Sequence, residues 1–288
     1  MAEGQFVISL DVGGSSVKSG VVNLVSHQIS QFTRTPIDSR ASATVIIKSL
    51  SDIIETHFKN TSPVIGIGFG FPGPFDYVSG VSWIEDVEKY EAIYGLNIHD
   101  ALKADLTDTT LPIYFRNDAE AAIVGEGVHG AGEDYSRIIG LTLGTGCGSA
   151  FLIDGVPQVD GIGIPQNGWV YQMAYRGEQV DDVFSTRGLL KRLSSASLDV
   201  NTVLDAIQQA STNSSIRNIF AEFGDDLAQF LLPVIRDFNA DALIVQGGIA
   251  HGFPYFEDAM NNRLAIPIFA GRLGQNAALL GIANLFKK

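Results

Sequence analysis

Three short runs rich in strand-forming residues, 5–10, 17–23 and 28–36, are separated by turn residues and predict an antiparallel meander. The apolar spacing then changes. Over 41–58, Val45, Ile46, Leu50, Ile53, Ile54 and His57 recur at intervals of three and four, the pattern of an amphipathic helix. "VIGIGFGFPGPF" reads as a buried strand running into a Gly-Pro loop. After a mixed segment holding Trp83 and Tyr94, residues 111–116 form another strand, and "NDAEAA" opens a helix. The stretch 137–155, "RIIGLTLGTGCGSAFLIDG", repeats the opening plan of strand, glycine turn and strand. Two such units about 130 residues apart suggest an internal duplication of architecture. Helices are predicted over 200–210 and 216–238, then a strand "DALIVQGGIA" delivering Gly247 and Gly248, a last strand "AIPIFAG", and a closing helix over 275–286.

No low-complexity linker interrupts this series. The expected organisation is α/β, with a small lobe of residues 1–116 completed by 275–288, a large lobe of 117–274, and a cleft between them. The stretch "LDVGGSSVKSG", residues 10–20, places Asp11, Gly13, Gly14, Ser15 and Lys18 directly after the first strand. Gly13 and Gly14 permit close approach to the main chain, and successive N–H groups in such a turn make an anion cradle. Gly-Gly between two apolar runs is equally the signal of an ordinary hairpin.

Composition narrows the partners. The 288 residues carry a net charge of −13, which repels nucleic acid and anionic lipid. No apolar run approaches the roughly 20 residues of a membrane span, and "MAEGQFVISL" lacks the basic start of a secretion signal, so a cytoplasmic location is expected. The single cysteine, Cys147, excludes an internal disulfide and reads as a packing residue; the five histidines show no ligand spacing. Glycine is the outlier, 31 residues against the usual share of about 7%.

Phosphoryl transfer needs donors around a polyphosphate, an acid for the metal and a carboxylate near the acceptor hydroxyl. The chain offers one loop with Asp11, Gly13, Gly14 and Ser15, a second with Gly144, Thr145, Gly146 and Gly148, and a third with Gly247 and Gly248. It has neither a Walker loop nor a dinucleotide fingerprint, because no Gly-Lys-Ser/Thr and no helix follow the first loop.

Six segments, "DVGGSSVKSGVV", "GIGFGFPGPFD", "FRNDAEAAIVGEGVHGAG", "LTLGTGCGSAFLIDG", "LIVQGGIA" and "GQNAALLGIA", stand in the order of the ROK family of sugar kinases, which the chain resembles over nearly its whole length. The resemblance implies two actin-like (ribonuclease H-like) lobes with the active site in the cleft between them. It further implies transfer of the ATP γ-phosphoryl to a hydroxyl, usually on C6, of a hexose or modified hexose. Asp118 matches the family's catalytic base; at the end of a strand and the start of a helix it is aimed to accept the hydroxyl proton, and its plainer reading is a helix N-cap. Asn117 matches a sugar-hydroxyl ligand, and Gly73 the place where backbone approaches the sugar. Asp11 matches the acid that orients Mg2+ through water. Lys18 either approaches phosphate or faces solvent.

The chain departs from the family where a His and three clustered cysteines normally hold zinc. There "PQNGWVYQMAYRGEQVDDVFSTRGL" puts Trp169 and Gln172 where sugar-bonding Glu and His are common, with Asp181 replacing a family glutamate. Trp169 is equally read as a core aromatic. The upstream Asn-Leu-x-x-Trp pattern is replaced by "EKYEAIYGLNI", which withdraws a glucose assignment. The family also implies a homodimer. Alternatives are a catalytically silent sugar sensor or regulator, disfavoured by the expected lack of a DNA-binding helix-turn-helix before the first strand, and a kinase using polyphosphate, which would favour a basic rim.

Overall fold

The computed structural model describes residues 5–61 and 63–287. The chain divides into two compact units, Met1–Gly125 with Gln275–Lys288, and Glu126–Gly274.

In the first unit, β1 (Phe6–Val12), β2 (Ser16–Asn23) and β3 (Ile29–Pro36) form the expected antiparallel meander. α1 (Ala43–Phe58) buries Ile46, Leu50, Ile53 and Ile54 and carries the chain over to β4 (Val64–Phe71), which lies parallel to β1. Parallel neighbours require such a crossover. A short hairpin, β5 (Phe75–Asp76) and β6 (Val81–Ser82), and α2 (Ile98–Asp105) precede β7 (Ile113–Asn117), parallel to β4. α3 (Asp118–His129) follows without a break. The sheet order is β3-β2-β1-β4-β7.

The second unit repeats that plan. β8 (Arg137–Leu143), β9 (Cys147–Ile153) and β10 (Val156–Gln158) are an antiparallel meander. The small hairpin β11 (Ala174–Tyr175) and β12 (Glu178–Gln179), then α4 (Val180–Val183), α5 (Thr186–Ser195), α6 (Val203–Ala210) and α7 (Ser214–Phe238), lead to β13 (Ala242–Gln246), parallel to β8. α8 (Glu257–Asn261) and β14 (Ile268–Ala270) complete the order β10-β9-β8-β13-β14. The duplication expected from two glycine turns therefore extends to two five-stranded sheets of the same order and direction. An aromatic cluster of Phe184, Phe220, Phe223 and Phe256 centres this unit's core. Glu126 is fully buried, its two carboxylate oxygens accepting the N–H groups of Ala131 at 3.0 Å and Leu273 at 2.7 Å, which ties the start of the unit to its end.

The chain returns to the first unit with α9 (Asn276–Ala283), a short apolar helix buried on every side but its N-terminal residue. Period-two geometry explains its seat. Gly66, Gly68 and Gly70 line one face of β4, while Ile67, Phe69 and Phe71 line the other and join the core. A Cβ at Gly68 would come within 2.5 Å of Ile282, and one at Gly66 would enter the ring of Phe286. Crossing α3, α9 is closer still: a Cβ at Gly281 would collide with the carbonyl of Ala121, and one at Gly125 with that of Ala277. Arg116 closes this arrangement, donating to the Gly281 carbonyl at 2.7 Å and pairing with Glu120 at 3.0 Å.

On the opposite side of the sheet His57 is buried, its Nε2 sharing a 2.9 Å hydrogen bond with Ser19 Oγ, which in turn bonds Thr33 at 2.8 Å. Burial lowers the His57 pKa below 6.5. The folded state thus takes up a proton less readily than the unfolded chain; stability is full above about pH 6.5 and falls as the pH drops through it. His57→Gln is expected to be less stable than wild type at pH 7.5, with the difference in melting temperature narrowing at pH 5. A difference independent of pH would refute this. Among the described residues, no helix is long and apolar enough to cross a membrane.

Candidate active site

Strands β1, β4 and β7 run parallel, and the register places Asp11 beside Gly70 and Gly70 beside Arg116. Their carboxyl ends therefore share one edge, the side of a sheet where α/β proteins bind ligands. From β1 comes Asp11, and its cross-strand partner Lys18 closes a 2.7 Å ion pair with Oδ2. The intervening turn is held from several directions: Gly13 N–H donates to Ser16 O at 3.0 Å, Tyr90 Oη donates to Gly13 O at 2.6 Å, and Ile37 N–H donates to Ser15 O at 3.1 Å. Tyr90 is fully buried against Phe71, and burial pushes its phenol pKa up, so it stays a donor. The Lys89 stem lies over the turn, 3.5 Å from where a Cβ on Gly14 would stand.

Asn117 ends β7 and Asp118 begins α3. Asn117 Oδ1 accepts from Glu120 N–H at 3.1 Å, so the capping of this helix falls to Asn117, while the Asp118 carboxylate accepts the N–H of Ala119 at 2.9 Å and its own main-chain N–H. Asn117 Nδ2 donates to Tyr77 Oη at 3.0 Å, and that phenol donates to Phe71 O at 3.1 Å. A Cβ on Gly73 would stand 3.2 Å from the same phenol. Gly73, Tyr77 and Asn117 therefore form one wall. The Asp118 carboxyl is raised above the usual carboxylate value, chiefly by burial and then by the charge of Asp11; the N–H of Ala119 and the ammonium of Lys89 oppose the rise.

In the second unit, Leu143 pairs with Cys147 across the turn of Gly144, Thr145 and Gly146. Gly144 N–H donates to Gly146 O at 2.9 Å, and Gly144 O accepts from Thr186 N–H at 2.7 Å. Asp181 reaches the same turn: Oδ1 accepts from Cys147 N–H at 2.7 Å, and Oδ2 pairs with Arg187. Arg187 also pairs with Asp182 at 2.8 Å and donates to Thr145 O at 3.4 Å. Gly148 lies in β9 opposite Thr142. Gly247, at φ +93, follows β13 against the Leu143 carbonyl, where a side chain has no room, and Gly248 is open to additional atoms. Cys147 is buried, which with the nearby Asp181 charge raises its thiol pKa.

The structure thus gathers Asp11, Gly13, Gly14, Ser15, Lys18, Gly73, Asn117 and Asp118 at one sheet edge, and Gly144, Thr145, Gly146, Asp181, Gly247 and Gly248 around the end of β8. Trp169 and Gln172 flank Tyr171, whose carbonyl accepts from Asp181 N–H at 3.3 Å. Trp169 packs on Tyr171 at 5.7 Å, and exposed Gln172 donates to Tyr171 Oη at 3.0 Å. Four further residues at these sites, Tyr77, Lys89, Tyr90 and Arg187, were not among those read from sequence. For Arg187 the acidic pair Asp181 and Asp182, six and five residues earlier, was a usable signal; for the others no local pattern announces the contact.

Among the described residues, no three His, Cys, Asp or Glu side chains group to hold a metal ion. Of the two carboxylates at this edge, Asp11, with Oδ2 committed to Lys18, would suit a magnesium ion that keeps most of its waters.

Two units with five-stranded sheets of matching order, each placing glycine turns at strand ends, define the actin-like ATPase fold. The chain belongs to the ROK family, whose model matches residues 7–288. The resemblance carried by the six motifs is borne out. The chain is 25% identical over 322 residues to the glucokinase of Thermotoga maritima, covering 98% of this chain and 97% of that one. Among solved structures it is similar to a ROK family glucokinase from Streptomyces griseus in complex with glucose and AMPPNP, with a TM-score of 0.75 at 20% identity over 97% of this chain and 98% of that one. It is also similar to a ROK family transcriptional regulator, a homologue of the E. coli MLC protein, with a TM-score of 0.78 at 16% identity over 97% of this chain and 77% of that one.

Proposed function

We propose that the protein is an ATP-dependent sugar kinase that phosphorylates a hydroxyl, at C6, of a hexose or modified hexose. The observation that carries this reading is Asp118: a carboxylate at the shared edge of three parallel strands, with a raised pKa and relieved of capping by Asn117. A carboxylate whose pKa lies above the ordinary range accepts a hydroxyl proton more readily than a surface aspartate. Gly73 and Asn117 orient the acceptor, with Tyr77 holding Asn117. Gly13, Gly14 and Ser15 offer main-chain donors to phosphate, and Asp11 orients magnesium, which when bound neutralises polyphosphate charge. Gly144, Thr145, Gly146, Gly148, Gly247 and Gly248 face the nucleotide. Trp169 and Gln172 are sugar-directed, whereas Asp181 serves by bracing its turn through Cys147 and Arg187.

The test is release of ADP from Mg-ATP across glucose, mannose, fructose, allose, N-acetylhexosamines and β-glucosides, with polyphosphate as a second donor. Turnover of one sugar with ATP establishes the reading and names the substrate. Turnover with polyphosphate alone replaces the donor. Silence across the panel with a sugar-induced rise in melting temperature favours a sensor.

A further inference from the structure

Lys18, the lysine nearest the first glycine turn in sequence, is committed to Asp11. The same edge receives a second lysine from far along the chain. Lys89 lies on the segment between β6 and α2, where Glu88 and Tyr90, the residues on either side of it, both adopt left-handed conformations at φ 56 and 58. Both flanks are anchored. Arg40 pairs with Glu88 Oε2 at 2.7 Å and donates to its carbonyl at 3.0 Å. Tyr90 takes the Ser39 carbonyl through its N–H and the Gly13 carbonyl through its phenol, each at 2.6 Å. Between these anchors the Lys89 stem crosses Gly14, and its ammonium is near enough to Asp118 to oppose the rise of that carboxyl. Among the described residues no hydrogen bond or ion pair engages Lys89.

We infer that Lys89 binds the terminal phosphoryl group of the donor and is a catalytic residue of the transfer, standing between the anion cradle at Gly14 and the base at Asp118. This rests on the kinase reading above. In the step it serves, the acceptor oxygen bonds to the γ-phosphorus as the bond from that phosphorus to the β,γ-bridging oxygen breaks. The hydroxyl proton passes to Asp118, and the leaving nucleoside diphosphate keeps the electron pair. A cation whose backbone is tied down by the Tyr90 bonds would stabilise the charge gathering on the equatorial oxygens. Lysine suits the task as a compact point charge.

The test compares wild type with Lys89→Met, which keeps the apolar stem over Gly14, and Lys89→Arg, which keeps the charge. Affinities for Mg-AMPPNP and Mg-ADP are measured by calorimetry, and kcat and KM with the sugar found active. Wild type is expected to bind AMPPNP more tightly than ADP, and Lys89→Met to lose that preference while its ADP affinity holds within about twofold. Its kcat should fall by about 10²–10³, the loss seen when one charge-stabilising donor is removed, with sugar KM little changed and partial recovery in Lys89→Arg. Equal loss of both nucleotides, or an unchanged preference, overturns the assignment. Should no sugar be phosphorylated while Lys89→Met abolishes the AMPPNP preference, the phosphoryl contact stands and the kinase reading falls.

Discussion

Asp118→Asn is expected to lower kcat by about 10²–10⁴-fold while sugar affinity changes little, because asparagine keeps the shape and the bond to Ala119 N–H but cannot take the proton. Steady-state kinetics with an equilibrium measurement of sugar binding check it; near-normal turnover would remove the base assignment. The same substitution has a stability signature. Burial and Asp11 hold the folded carboxyl above its unfolded value of 3.8, so the neutral form is favoured in the fold. The corresponding stability is present below pH 3.8 and is lost as the pH rises through the folded pKa. At neutral pH the wild-type chain therefore lacks some or all of that contribution, and Asp118→Asn should melt at a higher temperature. The gain should shrink as the pH is lowered. On the acid side, the pH profile of kcat/KM should break above the usual carboxylate value. A less active, more stable variant would mark a residue kept for chemistry against the interest of the fold.

The second large effect concerns the crossing of α3 and α9. Gly281→Val should destabilise the protein by about 3 kcal/mol or more, because the new Cβ meets the Ala121 carbonyl and neither backbone can yield without lifting α9 from β4. Thermal melting and soluble yield report it. Gly95→Ala supplies the control: a Cβ there meets no atom within 4 Å, and although its φ of +72 carries some strain, its cost should be far smaller. Comparable losses in the two variants would refute the packing account.

These residues differ in how far the linear chain discloses them. Asp11, Gly13 and Gly14 were legible because a strand, an acid and paired glycines are contiguous, and the β8–β9 turn because it repeats them. The helices over 43–58 and 214–238 were legible from their apolar spacing. α5 was not, since its buried Leu189 and Leu193 sit among polar residues in a short segment. Lys89 was hidden because its approach to Gly14 depends on left-handed backbone at Glu88 and Tyr90, residues whose types do not announce it. Tyr77 was hidden because its partners, Phe71 and Asn117, meet it through sheet pairing and a loop reversal. In sequence Asp118 fits base and helix cap alike, and only the hydrogen bond from Glu120 N–H to Asn117 shows that the cap is already supplied.

The seat of α9 on the glycine face of β4 also sets an order of events during synthesis. The ribosome completes β1, β4 and β7 early, yet the helix that covers their glycine side is translated after every strand of the second unit. Until then Gly66, Gly68 and Gly70 present bare main chain beside apolar neighbours, a surface open to premature association. The second unit, by contrast, has all its segments in one continuous stretch. The nascent N-terminal sheet must wait, making its last helix the latch that ends the period in which a chaperone would be of use.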